Sequence, residues 1–140
     1  ASVHLEEFPP VGRFVDRDLL ASWDRLMQVR DQVNAALEAK RKDKVIGNSV
    51  GARVTITATG PVGALLERHQ TDLAMFCIVS DIALHVGPAD AADEVTVAVE
   101  KAPGVKCDRC WRFVPAVRTE PDWAGLCNRC VEALAGPVNP

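Results

Sequence analysis

No apolar run in these 140 residues approaches the ~20 needed to cross a bilayer as a helix, so no membrane-spanning helix is expected within them. An excess of positive charge is also missing. The formal net charge is −3, and that excludes a protein coating nucleic acid through bulk cationic charge. The opening ASVHLEEFPP is acidic and lacks a basic start followed by an apolar block, so no secretory signal is expected there. The start at Ala1, without methionine, reads as a processed or excised piece. Catalytic signatures are absent too: there is no phosphate loop, no G-x-G-x-x-G and no supported Ser/His/Asp set. The expectation is a chain without catalytic residues.

Two scarcities mark the C-terminal end. Few aliphatic residues lie between Val105 and Leu126, too few for an ordinary core. None of the three histidines, His4, His69 and His85, falls in that region. What the region has instead is cysteine, in the pattern Cys107-x2-Cys110-x16-Cys127-x2-Cys130. Each C-x-x-C forms a tight turn that aims both sulfurs at one centre, and two such turns close a tetrahedron of thiolates. The expectation is one structural zinc, with no open position for a catalytic water. A redox dithiol or two disulfides are the rival readings, and the paired spacing favours metal. Lys106, Arg109, Arg112 and Arg129 flank the ligands and offset the negative charge of a four-thiolate zinc. Cys77, in MFCIVS, stands apart and reads as a buried, inert thiol.

The rest of the composition is ordinary, with 48 % apolar and 25 % charged residues. Asp16 is placed to cap a helix from Arg17 to Lys42, whose apolar stripe comprises Leu19, Leu20, Trp23, Leu26, Met27, Val33 and Leu37. Trp23 reads as a core residue, and Gly47 as the helix stop. Residues 1–15 are expected to be extended, because Pro9, Pro10 and Gly12 oppose a helix. Ala52 to Ala58 alternates as a half-buried strand, and Gly60-Pro61 opens a short helix carrying Leu65 and Leu66. A second short helix is expected near Thr71 to Phe76, then strands at Ile78 to Val86 and Val95 to Val99. The fold class is therefore α+β: a long N-terminal helix, a small three-stranded sheet with short helices and helix on one face, and a C-terminal four-cysteine zinc module. Strand order is not legible at this level.

Charge is unevenly spread: residues 101–140 carry 6 Lys/Arg against 4 Asp/Glu, and residues 1–100 carry 10 against 15. Any RNA contact is therefore local. The candidates are Lys106, Arg109, Trp111, Arg112, Arg118 and Arg129 in the tail, with Lys40, Arg41 and Lys44 at the helix end. The plainer reading of the Lys40–Lys44 run is a solvated helix end, where cations suit the dipole. Trp111 and Trp123 either pack the metal module or stack on an unpaired base; the residues alone leave both readings open.

Taken together, these segments resemble the C-terminal region of bacterial isoleucyl-tRNA synthetase. The likeness rests on Ser2-Val3-His4-Leu5 with Phe8-Pro9, and on Trp23-x2-Leu26-Met27-x-Val29-Arg30-x2-Val33-Asn34. It continues through Leu37-Glu38-x2-Arg41-x2-Lys44-x-Ile46-Gly47-x-Ser49 and Phe76-x-Ile78-Val79-Ser80. It ends with Lys106-Cys107-x-Arg109-Cys110-Trp111 and Leu126-Cys127-x-Arg129-Cys130. The resemblance implies residues 1–46 as the end of the anticodon-binding helical domain, 47–103 as a small α/β junction unit and 104–140 as a zinc-binding module. It implies a parent enzyme, of class I, that joins isoleucine to its tRNA using ATP and magnesium. The family's catalytic and editing domains are missing from these residues. The partners implied are isoleucine-specific tRNA, held at its anticodon stem-loop, and the remainder of the synthetase chain. A monomer in the cytoplasm is expected. Two rivals remain: a stand-alone zinc ribbon for protein contacts, and the finger of a formamidopyrimidine-type DNA glycosylase, whose cysteine spacing is similar.

Overall fold

A computed structural model describes residues 2–5, 7, 12 and 15–136. Val3–Leu5 forms a single 3-10 turn, so that part of the N-terminal segment is not extended. Pro9 and Pro10 lie outside the described residues.

Helix α1 spans Arg17–Lys42. Asp16 caps it as the sequence requires, its carboxylate accepting the Leu19 amide at 2.9 Å. Its C-terminus carries Lys40, Arg41 and Lys42, the favourable sign for that end of the dipole. The stop comes earlier than Gly47. Asp43 is the C-cap, and Lys44 turns into the left-handed region at φ 59°.

After a 3-10 turn at Ser49–Gly51, strand β1 runs Ala52–Thr59 and passes directly into α2, Gly60–Arg68. Only glycine fits this junction. Gly60 has φ +70°, and a Cβ there would come within 2.7 Å of the Ala91 carbonyl oxygen. Asp93 closes the same corner by accepting the Val62 amide at 2.9 Å. Helix α3, Leu73–Phe76, follows, then β2, Asp81–Val86, and β3, Glu94–Lys101. Strand β2 starts three residues later than the sequence predicts. Ile78 sits at φ 55°, a left-handed conformation incompatible with a strand.

The sheet order is β2-β1-β3. Strands β1 and β2 are parallel, from Arg53↔Asp81 to Ala58↔Val86. The α2–α3 segment supplies the crossover that a parallel pair needs. Strands β1 and β3 are antiparallel, from Ala52↔Lys101 to Thr59↔Glu94. The alternation of β1 is borne out: Ala52, Val54, Ile56 and Ala58 are fully buried. On the other face Arg53 pairs with Asp81 at 3.0 Å.

Helices α1 and α2 cover the buried face. Leu26, Val29, Val33 and Leu37 of α1 join Val62, Leu65 and Leu66 of α2 and the inner residues of β1 in one hydrophobic cluster. Trp23 departs from the expectation: it is 45 % exposed, and Leu19, Leu20 and Met27 are exposed beside it. The helix is apolar along its first two turns, but the sheet and α2 meet it only from Leu26 onward. Cys77 is buried as expected, and burial pushes its thiol up to about 11 against the opposing charge of Arg30.

Candidate metal centre

The tail is built around a ribbon of two short strands, β4 at Val105–Lys106 and β5 at Phe113–Val114. Between them lies the first cysteine pair. The Trp111 amide donates to the Cys107 carbonyl and the Cys107 amide to the Arg112 carbonyl, each at 2.9 Å. That closed knuckle puts Trp111 at φ 63° and turns Cys107 and Cys110 toward one point. The second pair opens helix α4, Asn128–Ala135. Cys127 is its N-cap residue, and the Cys130 amide donates back to the Cys127 carbonyl at 2.9 Å.

All four sulfurs lie within 4.8 Å of one another. Cys107 Sγ to Cys130 Sγ is 3.8 Å, and Cys110 Sγ to Cys127 Sγ is 3.8 Å. A tetrahedral zinc with Zn–S near ~2.3 Å needs sulfur–sulfur edges of about 3.8 Å. A disulfide would need about 2.05 Å, so none of these thiols is bridged. The donor set therefore fits a tetrahedral, thiophilic cation.

Donors surround the sulfurs. The Cys127 amide donates to Cys107 Sγ at 3.3 Å, and Arg109 Nη1 approaches Cys130 Sγ at 3.7 Å. Burial works against ionising Cys107, but the amides of Cys110, Cys127 and Arg109 outweigh it and bring that thiol down to about 6. Cys127 goes the other way, pushed up to about 12 by burial and by the sulfurs beside it. Four thiols this close cannot all ionise by themselves; a divalent cation removes the conflict. Arg129 is held firmly protonated by its hydrogen bond to Cys110. Of the four flanking cations predicted from sequence, Arg109 and Arg129 reach sulfur.

The module's own hydrophobic cluster is small: three of the four cysteines are buried, with Cys110, Val114, Val117 and Leu126 packed against them. Neither tryptophan belongs to it. Trp123 is half-buried, while Trp111 is 56 % exposed with the Lys106 ammonium 5.3 Å from its ring centre. Trp111 and Lys106 share a concavity of about 240 Å³ with Lys101, Phe113 and the loop Val45–Asn48 that follows α1. Lys101 was not legible as a site residue, since it ends a strand 10 residues before Trp111 and no motif marks it. Arg112 is half-buried. Arg118 pairs with Glu120 at 3.4 Å, and Arg41 with Glu38 and with the Ser49 hydroxyl at 3.5 Å. Lys40 is half-buried and Lys44 is exposed.

No model of a known protein family matches the chain. Individual relatives do. A protein of Symbiobacterium thermophilum is 41 % identical over 135 residues, covering 86 % of this chain and 14 % of the relative. One of Syntrophotalea carbinolica is 41 % identical over 142 residues, covering 95 % and 15 %. One of Thermotoga maritima is 36 % identical over 125 residues, covering 88 % and 14 %. The similarity thus takes in the helix and sheet as well as the four-cysteine tail, and this long-helix, mixed-sheet and thiol-cluster assembly is a piece of an aminoacyl-tRNA synthetase. All three relatives are isoleucine–tRNA ligases, and the chain belongs to that family as one segment of the longer protein. It spans about a seventh of the length of the curated relatives it matches.

Proposed function

We propose that this segment binds isoleucine tRNA on behalf of its synthetase, with one zinc ion closing the tail that makes the contact. The observation that carries the reading is the concavity where Lys101, Lys106 and the exposed Trp111 meet. It combines cations for the phosphate backbone with an aromatic face for an unpaired base, the pairing used to hold single-stranded loops. The metal's part is structural: bound by Cys107, Cys110, Cys127 and Cys130, zinc would fix the knuckle that presents Trp111. Arg109 and Arg129 offset the charge of the thiolates, and Lys106, Arg112 and Arg118 face the RNA. Lys40, Arg41 and Lys44 extend the basic surface along the end of α1.

The parent would join isoleucine to its tRNA with ATP and magnesium, and this segment would contribute affinity at the anticodon stem-loop. The two hydrophobic clusters support treating 104–140 as a unit of its own, and the core shared by α1 and the sheet argues that 1–46 and 47–103 fold together. A zinc ribbon for protein contacts and a DNA glycosylase finger share the cysteine spacing but account for neither α1 nor the sheet. The test compares isoleucine tRNA with an unrelated tRNA at matched salt, using the full-length synthetase with and without residues 104–140. The expected result is weaker binding and lost discrimination on deletion. Unchanged affinity and discrimination after deletion would remove the reading.

A further inference from the structure

The four sulfurs of the tail are not equally reachable. Two pairs cross from one knuckle to the other at the same separation, Cys107 with Cys130 and Cys110 with Cys127, each at 3.8 Å. Distance does not tell these pairs apart, but access does. Cys107 and Cys130 are both 0 % exposed. Cys110 is half-buried, the most open of the four. Its partner Cys127 lines a cavity of about 380 Å³, with Ser80, Arg112, Asn128 and Arg129 among the other walls. Arg129 links the two sulfurs, since it lines that cavity and hydrogen-bonds Cys110. One pair is thus open to a small solute, while the other is sealed.

We propose that Cys110 and Cys127 form a site of reversible oxidation by hydroperoxides, which joins the two knuckles through a disulfide. The site presupposes the four-thiolate reading of the tail and nothing about tRNA. A thiol that coordinates zinc is held deprotonated, and cysteine oxidation follows thiolate character and exposure. Cys110 meets both conditions, and hydrogen peroxide is small enough to reach it. The Cys110 sulfur attacks one peroxide oxygen: the S–O bond forms, the O–O bond breaks, and the departing hydroxide takes a proton from solvent. The Cys127 thiolate, 3.8 Å away, then attacks that sulfur. The S–S bond forms as the S–O bond breaks, and the second hydroxide is protonated in turn. Two thiolates give up two electrons, one peroxide accepts them, and two protons complete two waters. The sulfurs close from 3.8 Å to the about 2.05 Å of a disulfide. Two thiolates then remain where a tetrahedral cation needs four ligands, and the small cluster built on the cysteines loses its centre. Exchange with a dithiol reverses the step.

The test titrates the purified, zinc-loaded full-length synthetase with hydrogen peroxide and maps its cysteine pairs by peptide mass spectrometry. The first product in the tail should be a disulfide between Cys110 and Cys127, with about one zinc released to a chromogenic chelator for each bridge formed. Dithiothreitol and added zinc should restore the starting state. A first bridge between Cys107 and Cys130, or within one knuckle, would overturn the proposal. So would direct passage to sulfinic acid, which dithiothreitol does not reverse. Zinc kept and all four cysteines reduced, at a dose that already converts methionines of the same chain to sulfoxides, would overturn it as well. The affinity of the oxidised enzyme for isoleucine tRNA is read separately. A bridge that forms while tRNA affinity is unchanged supports this site and counts against the tRNA reading, so the two failures are distinguishable.

Discussion

The hydroxyl of Ser80 accepts a hydrogen bond from the Phe113 amide at 2.7 Å, joining the sheet unit to the metal module across 33 residues of chain. The same hydroxyl donates to the Val50 carbonyl. One side chain thus ties three segments: the turn before β1, the residue before β2, and β5 of the tail. Ser80→Ala removes both part-buried hydrogen bonds and should cost about 1–3 kcal/mol of stability, at roughly 0.5–1.5 kcal/mol for each. Hydrogen exchange at the Phe113 amide should accelerate, while zinc content stays constant. An unchanged Phe113 amide would mean the module is held elsewhere.

Metal analysis of the purified protein should return about one zinc per chain, as a four-thiolate site requires. Chelation should melt residues 104–140, whose cluster is built on the cysteines themselves. The helical circular dichroism, dominated by α1, should survive. A collapse of that signal in step with zinc loss would show one folding unit instead of two.

Trp23→Ala should cost well under the ~3–5 kcal/mol of a buried tryptophan, because the ring is 45 % exposed in this structure. Leu66→Ala, at 0 % exposure, should cost about 2–5 kcal/mol. Denaturant unfolding of the two variants side by side checks the order, and a larger loss for Trp23 would contradict the packing described above.

Cys77 should resist alkylation at neutral pH, when the four clustered thiols are shielded by metal. Burial lifts it from 9.0 to about 11, so the folded state keeps a proton that the unfolded chain loses first. Between those values the native state binds more protons, and stability therefore falls as pH rises through that window. Cys77→Ala should flatten the alkaline decline in thermal stability; an identical decline in the variant would assign it to other groups.

Within the full-length enzyme, Trp111→Ala should weaken tRNA binding by ~1–3 kcal/mol with little change in salt dependence, the pattern of lost stacking. Lys106→Ala should instead reduce the log–log salt slope by about 0.7 to 0.9. If Trp111→Ala releases zinc together with RNA, the ring is a packing element of the knuckle.

Much of the molecule is written in local chemistry. The Asp16 cap, the alternation of β1, Pro61 opening α2 and the paired cysteines all depend on neighbours within a few residues. Each was legible because backbone geometry has a short period. The helix end at Lys42 and the strand end at Val86 were legible too; the start of β2 and the residues that stop α1 ahead of Gly47 were not, since both involve left-handed backbone, at Ile78 and Lys44, residue types that give no such signal.

The sequence by itself determined that four thiols meet, that one long helix lies ahead of a small sheet, and which residues line the inner face of β1. Spacing and period are properties of the chain, and any fold consistent with them must respect them. Only the tertiary structure decided the β2-β1-β3 order, the exposure of Trp23 and the meeting of Lys101 with Trp111. These depend on which apolar surfaces find partners. An apolar stripe states that a helix face seeks burial, but the area available to cover it belongs to elements dozens of residues away. Here α2 and the sheet bury Leu26, Val29, Val33 and Leu37, while among the described residues Leu19, Leu20, Trp23 and Met27 stay exposed.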